Sequence, residues 1–144
     1  DGTGNISYDP ANHEHMVHLR AQKVAGIAND IPPVTLLGDV DDADLLVVGW
    51  GSTWGAIDGA ANRVRARGHK VAHAHLTHLN PFPANLGEVL ARHRHVVVPE
   101  LNLGQLSKLL RAEYLIDARS VTKVQGVPFT AGELEIAFLK ELGA

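Results

Sequence analysis

An α/β domain, with a mostly parallel sheet and helices on both faces, is the fold class this sequence predicts, and three observations predict it. The run Leu45-Leu46-Val47-Val48-Gly49 is continuously apolar, the texture of a strand buried on both faces. From Leu45 onward, strand-like runs alternate with helix-like periods, the order that builds a parallel sheet through crossovers. The chain has 144 residues and is 45% hydrophobic, which suits one domain with a proper core.

The elements follow in order. Residues 1–8, rich in Gly and Asn, read as an irregular arm. Asp9-Pro10 starts a helix, with Asp as N-cap and Pro at the first helical position. Met16, Leu19, Val24, Ile27 and Ala28 recur at helical spacing up to Asn29, and Pro32-Pro33 stops the helix. Val34 to Leu37 reads as a short edge strand, followed by an acidic turn over 38–44. After the strand at 45–49, a Gly-rich loop spans 49–55 and a helix spans 56–67. The cluster Arg63, Arg65 and Arg67 near that helix's end complements its dipole, and Gly68 stops it.

Lys70 to Leu76 is a second strand, 77–83 a loop, 84–92 a short helix and His95 to Pro99 a third strand. A helix follows over about 105–112, and a fourth strand lies between Tyr114 and Val121. Thr130-Ala131-Gly132-Glu133 is a capping box opening a last helix, whose buried face is Leu134, Ala137, Phe138 and Leu142. Two segments result: an arm and lead-in helix over 1–38, and the α/β domain over 39–144.

Composition excludes several classes. The net charge of −3 gives no electrostatic case for nucleic acid. With no cysteine, the chain cannot form disulfides, thiolate nucleophiles or cysteine-ligated iron–sulfur clusters. The same absence suits the reducing cytoplasm. No apolar run approaches the roughly 20 residues of a membrane helix. A start on Asp1, without signal-peptide character, suggests a piece of a longer chain.

Gly49-Trp50-Gly51-Ser52-Thr53-Trp54-Gly55 follows a strand and opens a helix, where backbone N–H groups favour an anion. Its spacing is not the dinucleotide fingerprint, and no Gly-Lys-Ser/Thr follows. Two readings stand: a tight turn with packed tryptophans, or an anion site at Gly51, Ser52 and Thr53 with the two hydroxyls as donors. Asn80, Glu100 and Asn102 lie just past predicted strands, where open α/β sheets place ligands; they also suit turn capping.

Nine histidines are many for this length. His13-Glu14 narrowly misses the zinc-protease motif, since Val17 stands where the second His belongs. His73 and His75 share one side of a strand. No set of three or four ligands forms by spacing, so hydrogen bonding to loops is expected and no metal is assigned. No Ser-His-Asp arrangement and no Gly-x-Ser-x-Gly motif occurs.

These loops resemble a known family. Gly49-Trp50-Gly51-Ser52-Thr53, His78-Leu79-Asn80-Pro81-Phe82-Pro83 and Val98-Pro99-Glu100-Leu101-Asn102-Leu103-Gly104-Gln105-Leu106 look like the C-terminal region of the α subunit of 2-oxoacid:ferredoxin oxidoreductases, above all the 2-oxoglutarate type. Lys123 to Phe129 fits as well, as does the head, Ser7-Tyr8-Asp9-Pro10 with Asn12-His13 and Met16. The resemblance implies a domain like the C-terminal domain of transketolase. It implies a parent complex that uses thiamine diphosphate, magnesium and iron–sulfur clusters to oxidise a 2-oxoacid, pass electrons to ferredoxin and form an acyl-coenzyme A.

No catalytic residue and no cofactor is carried over to this chain, which by itself is expected to be inactive. The implied partners are the β subunit and the upstream α-subunit domain, with homodimerisation as a separate reading. The implied work is subunit assembly and one wall of the active-site approach. On that wall Gly51, Ser52 and Thr53 would meet an anion or coenzyme A, and Asn80, Glu100 and Asn102 would lie on substrate-side loops. The alternative is a free-standing small-anion or nucleotide-binding module built on the Gly49–Gly55 turn.

Overall fold

The computed structural model describes residues 4–144, so Asp1 to Thr3 of the expected arm lie outside the described residues. The backbone divides into two units. One takes the N-terminal residues through Pro32 together with His78–Ala84; the other takes Pro33–Thr77 and Asn85–Ala144.

In the first unit, helix α1 (Pro10–Gly26) starts as its sequence dictates. Asp9 is extended and its carboxylate accepts the Ala11 N–H at 3.1 Å, with Pro10 at the first helical position. A 3-10 turn, Ile27–Asn29, closes it. None of its residues is buried, and the apolar positions Leu19, Val24 and Ile27 stay 46%, 40% and 46% exposed. The apolar period is therefore present without a buried face among the described residues.

The second unit is a five-stranded sheet in the order β1-β3-β2-β4-β5. Strand β1 (Leu36–Gly38) runs antiparallel to β3 (Val71–Leu76) at the edge. Strands β2 (Leu45–Trp50), β3, β4 (Val96–Glu100) and β5 (Ala118–Thr122) are mutually parallel. The sheet takes in residues 36–38 because β1 pairs with β3. Arg65 fastens this edge, donating to the Val71 carbonyl at 2.9 Å and to the Leu37 carbonyl at 3.4 Å. Its neighbours Arg63 and Arg67 pair with Glu135.

Helices cover both faces. Leu45, Val47, Val71 and Val97 point to one face, where α2 (Trp54–Ala66) contributes Ile57, Ala60, Ala61 and Val64. Helix α5 (Ala131–Leu142) adds Leu134 and Phe138 there. Alternation sends Leu46, Val48, Ala72, Ala74, Val96 and Val98, all buried, the other way. On that account β2 reads as continuously apolar: it is covered on both sides. Further buried leucines come from the end of β3, with Leu76, from α3 (Leu86–Ala91), with Leu86 and Leu90, and from α4 (Gln105–Tyr114), with Leu106 and Leu110.

The capping box of α5 forms as its sequence predicts. The Thr130 hydroxyl accepts the Glu133 N–H at 3.2 Å, and the Glu133 carboxylate accepts the Thr130 N–H at 2.7 Å. Among the described residues no helix is long and apolar enough to cross a membrane.

Candidate functional site

Strand order locates the site before any side chain is considered. From β2 the chain crosses to β3 on one side; from β3 it crosses back over β2 to β4 on the other. The loops leaving β2 and β4 therefore diverge, and the crevice between them is the ordinary ligand position of an open parallel sheet. A cavity of about 320 Å³ lies there, lined by Trp50, Gly51, Ser52 and Thr53 after β2 and by Leu101, Asn102 and Gln105 after β4. A second cavity of about 740 Å³, lined also by Lys123, Val124, Gly126, Val127 and Pro128, shares Ser52 and Leu101 with the first. Through these shared residues the two cavities adjoin, and both are lined mainly by apolar surface.

The β2 wall is a single 3-10 turn, Gly51–Thr53, running into α2. Gly51 adopts φ +59°, a left-handed conformation that glycine takes without strain. Thr53 is buried, and its hydroxyl is engaged with the start of the turn, donating to the Trp50 carbonyl at 2.8 Å and accepting the Trp50 N–H at 3.3 Å. Thr53 therefore does not offer the side-chain donor its sequence position suggested. Ser52 is exposed, and no side chain caps the start of α2.

The β4 wall is built differently. Glu100 departs from the expectation of a substrate-side loop residue: it ends β4 and is fully buried. Its carboxylate turns under α4 and accepts the N–H groups of Leu106 at 2.7 Å and Ser107 at 3.0 Å. A carboxylate beneath a helix N-terminus satisfies orphan donors and complements the dipole. Asn102 does the same for the preceding residues, accepting from Gly104 and Gln105, each at 2.9 Å. Four successive amides are thus satisfied internally. Asn102 still lines the cavity, with its amide oxygen committed to the turn.

Of the residues singled out in the sequence, Gly51, Ser52, Thr53 and Asn102 meet at one cavity, and Glu100 is buried beneath the start of α4, outside its lining. Asn80 is exposed and belongs to the other unit, preceding a cis peptide bond to Pro81. Trp50, Leu101, Gln105 and Lys123 were missed as site residues. The signal for Leu101 was present: an apolar residue in a strand-exit loop, 38% exposed.

The histidines do not assemble a metal site. Among the described residues no three His, Asp or Glu side chains converge as one would require. His73 and His75 instead hydrogen-bond, His75 Nδ1 lying 3.3 Å from His73 Nε2, while His75 Nε2 reaches the Gly51 carbonyl at 3.1 Å. Burial, then the neighbouring His75, pulls the His73 ring down to about 4, and burial also lowers His75. Without cysteine thiolates, and with no converging carboxylates among the described residues, this donor set does not fit an iron–sulfur cluster or a magnesium–diphosphate group.

Comparison with known proteins identifies the context. Residues 43–133 match the family described as pyruvate:ferredoxin oxidoreductase core domain II. The chain is 57% identical over 134 residues to the 2-oxoglutarate oxidoreductase subunit KorA of Mycobacterium tuberculosis, covering 93% of this chain and 20% of that one. In three dimensions it is similar to the 2-oxoglutarate:ferredoxin oxidoreductase from Magnetococcus marinus solved with 2-oxoglutarate, coenzyme A and succinyl-CoA bound. There the TM-score is 0.89 at 34% identity, over 97% of this chain and 25% of that one. A split-gene transketolase, an inactive β4 tetramer, shares the fold, with TM-score 0.58 at 23% identity over 78% of this chain and 42% of that one. The chain therefore spans about a fifth to a quarter of the length of the oxidoreductase relatives. From the matched core, which takes in β2 through the start of α5 and both walls of the crevice, the chain belongs to the pyruvate:ferredoxin oxidoreductase core domain II family.

Proposed function

We propose that this chain serves as the C-terminal domain of the α subunit of a cytoplasmic 2-oxoglutarate:ferredoxin oxidoreductase, without catalytic residues of its own. Its work there is to join subunits and to form one wall of the approach to the active site. The observation that carries this reading is the crevice: two of the loops that carry the family resemblance, those after β2 and after β4, meet at the switch point of the sheet. Thiamine diphosphate, magnesium and the clusters belong, on this reading, to the other domains and to the β subunit.

The two walls differ in a way that suggests what the groove meets. The start of α4 is filled by its own Glu100 and Asn102, whereas no side chain caps the start of α2. An anionic group, a phosphate of coenzyme A or the distal carboxylate of 2-oxoglutarate, is complementary to that open turn.

Replacing Ser52 with Glu in the assembled oxidoreductase tests this. The expected outcome is a KM raised about tenfold for one of the two substrates with kcat retained, the signature of lost binding common to ground and transition states. The substrate affected tells which anion is involved. Unchanged KM values for both, in a properly assembled complex, would remove the wall from the substrate path. Turnover of 2-oxoglutarate by the isolated chain would overturn the non-catalytic role itself.

A further inference from the structure

Directly behind the β2 wall lie two imidazoles that the reading above does not use. The register of β2 on β3 sets Gly49 beside His75 and Val47 beside His73. Gly49 is closely packed between these rings and Ile57. A Cβ there would stand 2.9 Å from His75 Nδ1, 3.2 Å from His73 Nε2 and 2.5 Å from Ile57 Cδ1. The two rings meet edge-on at 88°, with centroids 5.4 Å apart, and Trp54 packs 6.3 Å from the His73 ring.

We propose that His75 is a positioning residue of the switch-point groove: it holds the Gly51 carbonyl from outside the groove lining, in a tautomer that His73 fixes. The hydrogen-bond chain allows one assignment. A carbonyl only accepts, so His75 must carry its proton on Nε2. In a neutral ring Nδ1 is then an acceptor, so the nitrogen facing it, His73 Nε2, must donate. That leaves His73 Nδ1 bare, and among the described residues His73 Nδ1 is a buried side-chain nitrogen without a hydrogen-bond partner. Burial keeps both rings from protonating at neutral pH, so the single-proton logic applies to each.

The consequence lies one residue away. Gly51 has the left-handed φ that turns the chain from β2 into the 3-10 segment, and the peptide after it presents Ser52 to the groove. With its carbonyl anchored, this peptide keeps one orientation. For any effect on turnover the proposal rests on the groove being part of the substrate approach; the anchoring itself does not.

Two variants of the assembled oxidoreductase separate donor position from mere bulk. His75→Gln places an amide N–H near the position of Nε2, whereas His75→Asn places one near Nδ1 and cannot reach Gly51. Hydrogen–deuterium exchange of the peptide spanning residues 50–56 reads the turn directly. H75Q is expected to exchange at the wild-type rate and H75N about tenfold faster, the equivalent of one ordinary hydrogen bond. Equal exchange in the two variants, fast or slow, would overturn the proposal. KM values for coenzyme A and 2-oxoglutarate are measured on the same samples. Faster exchange in H75N with both KM values unmoved keeps the anchor and removes the substrate-wall reading; a raised KM in H75N that H75Q restores supports both.

Discussion

Replacing Glu100 with Gln tests whether the β4 wall is held by an internal carboxylate. The change keeps the volume of the side chain and alters only its charge and donor pattern. In the native protein Oε2 accepts the Leu106 N–H and Oε1 accepts the Ser107 N–H, both buried. An amide offers one oxygen, so one of these N–H groups faces an NH2 and loses its partner, at about 1–3 kcal/mol. The surviving bond falls from charge-assisted to neutral, and the favourable charge at the N-terminus of α4 is lost, together about 1 kcal/mol or slightly more. The sum is about 3 kcal/mol, which for a chain of this size is roughly 10 °C in Tm.

Urea unfolding followed by far-ultraviolet circular dichroism, wild type against E100Q at pH 7 with equal m-values, measures it. Ser120→Ala is the control. Its hydroxyl lies 3.5 Å from Glu100 Oε1, at the limit of a hydrogen bond, so its removal is expected to shift stability by no more than about 0.5 kcal/mol. If E100Q unfolds within about 0.5 kcal/mol of wild type, the carboxylate is not what holds the start of α4, and the account of this wall is wrong.

Three further outcomes follow from the packing and the charges. Gly49→Ala forces a methyl against Ile57 and His75, and is expected to cost about 1–3 kcal/mol, read as a lower urea midpoint. The Glu133 carboxyl is held down to about 2 by Lys123 first and then by the N–H and hydroxyl of Thr130. Because that value lies below the 4.5 of the unfolded chain, its contribution is complete above pH 4.5 and is lost as pH falls toward 2. The midpoint difference between wild type and Glu133→Gln should accordingly shrink across that window; a difference constant from pH 5 to 2 would contradict it. For His73 the native value near 4 lies below 6.5, so between those pH values the unfolded chain binds a proton that the native chain refuses, and stability rises with pH. Exchanging His73 for Phe should flatten that rise, with no change of slope above pH 6.5, in urea midpoints taken every half pH unit.

Most of the elements were legible in the sequence because their signals are local. Asp9-Pro10 and Thr130 with Glu133 announce helix starts through contacts two or three residues away, and both form as read. The strand ends and the α2 boundary shifted by one or two residues, as hydrogen-bond ladders extend past the apolar run that marks them. Helix α1 shows the limit of that reading: its apolar spacing is real, yet none of its residues is buried. Periodicity states which residues share a face, not what covers it.

The site was half legible. The sequence by itself determined that polar and glycine residues follow β2 and β4, and so that Gly51, Ser52, Thr53 and Asn102 would sit at strand exits. It also determined the donor set, since a chain without cysteine cannot ligate a cluster by thiolate. Only the tertiary structure decided which exits are neighbours: β2 and β4 pair although β3 lies between them in the chain. Only it turned Glu100 inward beneath α4, and only it set Gly49 against His75. The second depends on register between strands distant in sequence, the first on how α4 folds back over the end of β4. A lone Glu or His reads alike whether it faces water, a helix terminus or another ring, and what it does is settled by which strand lies beside it.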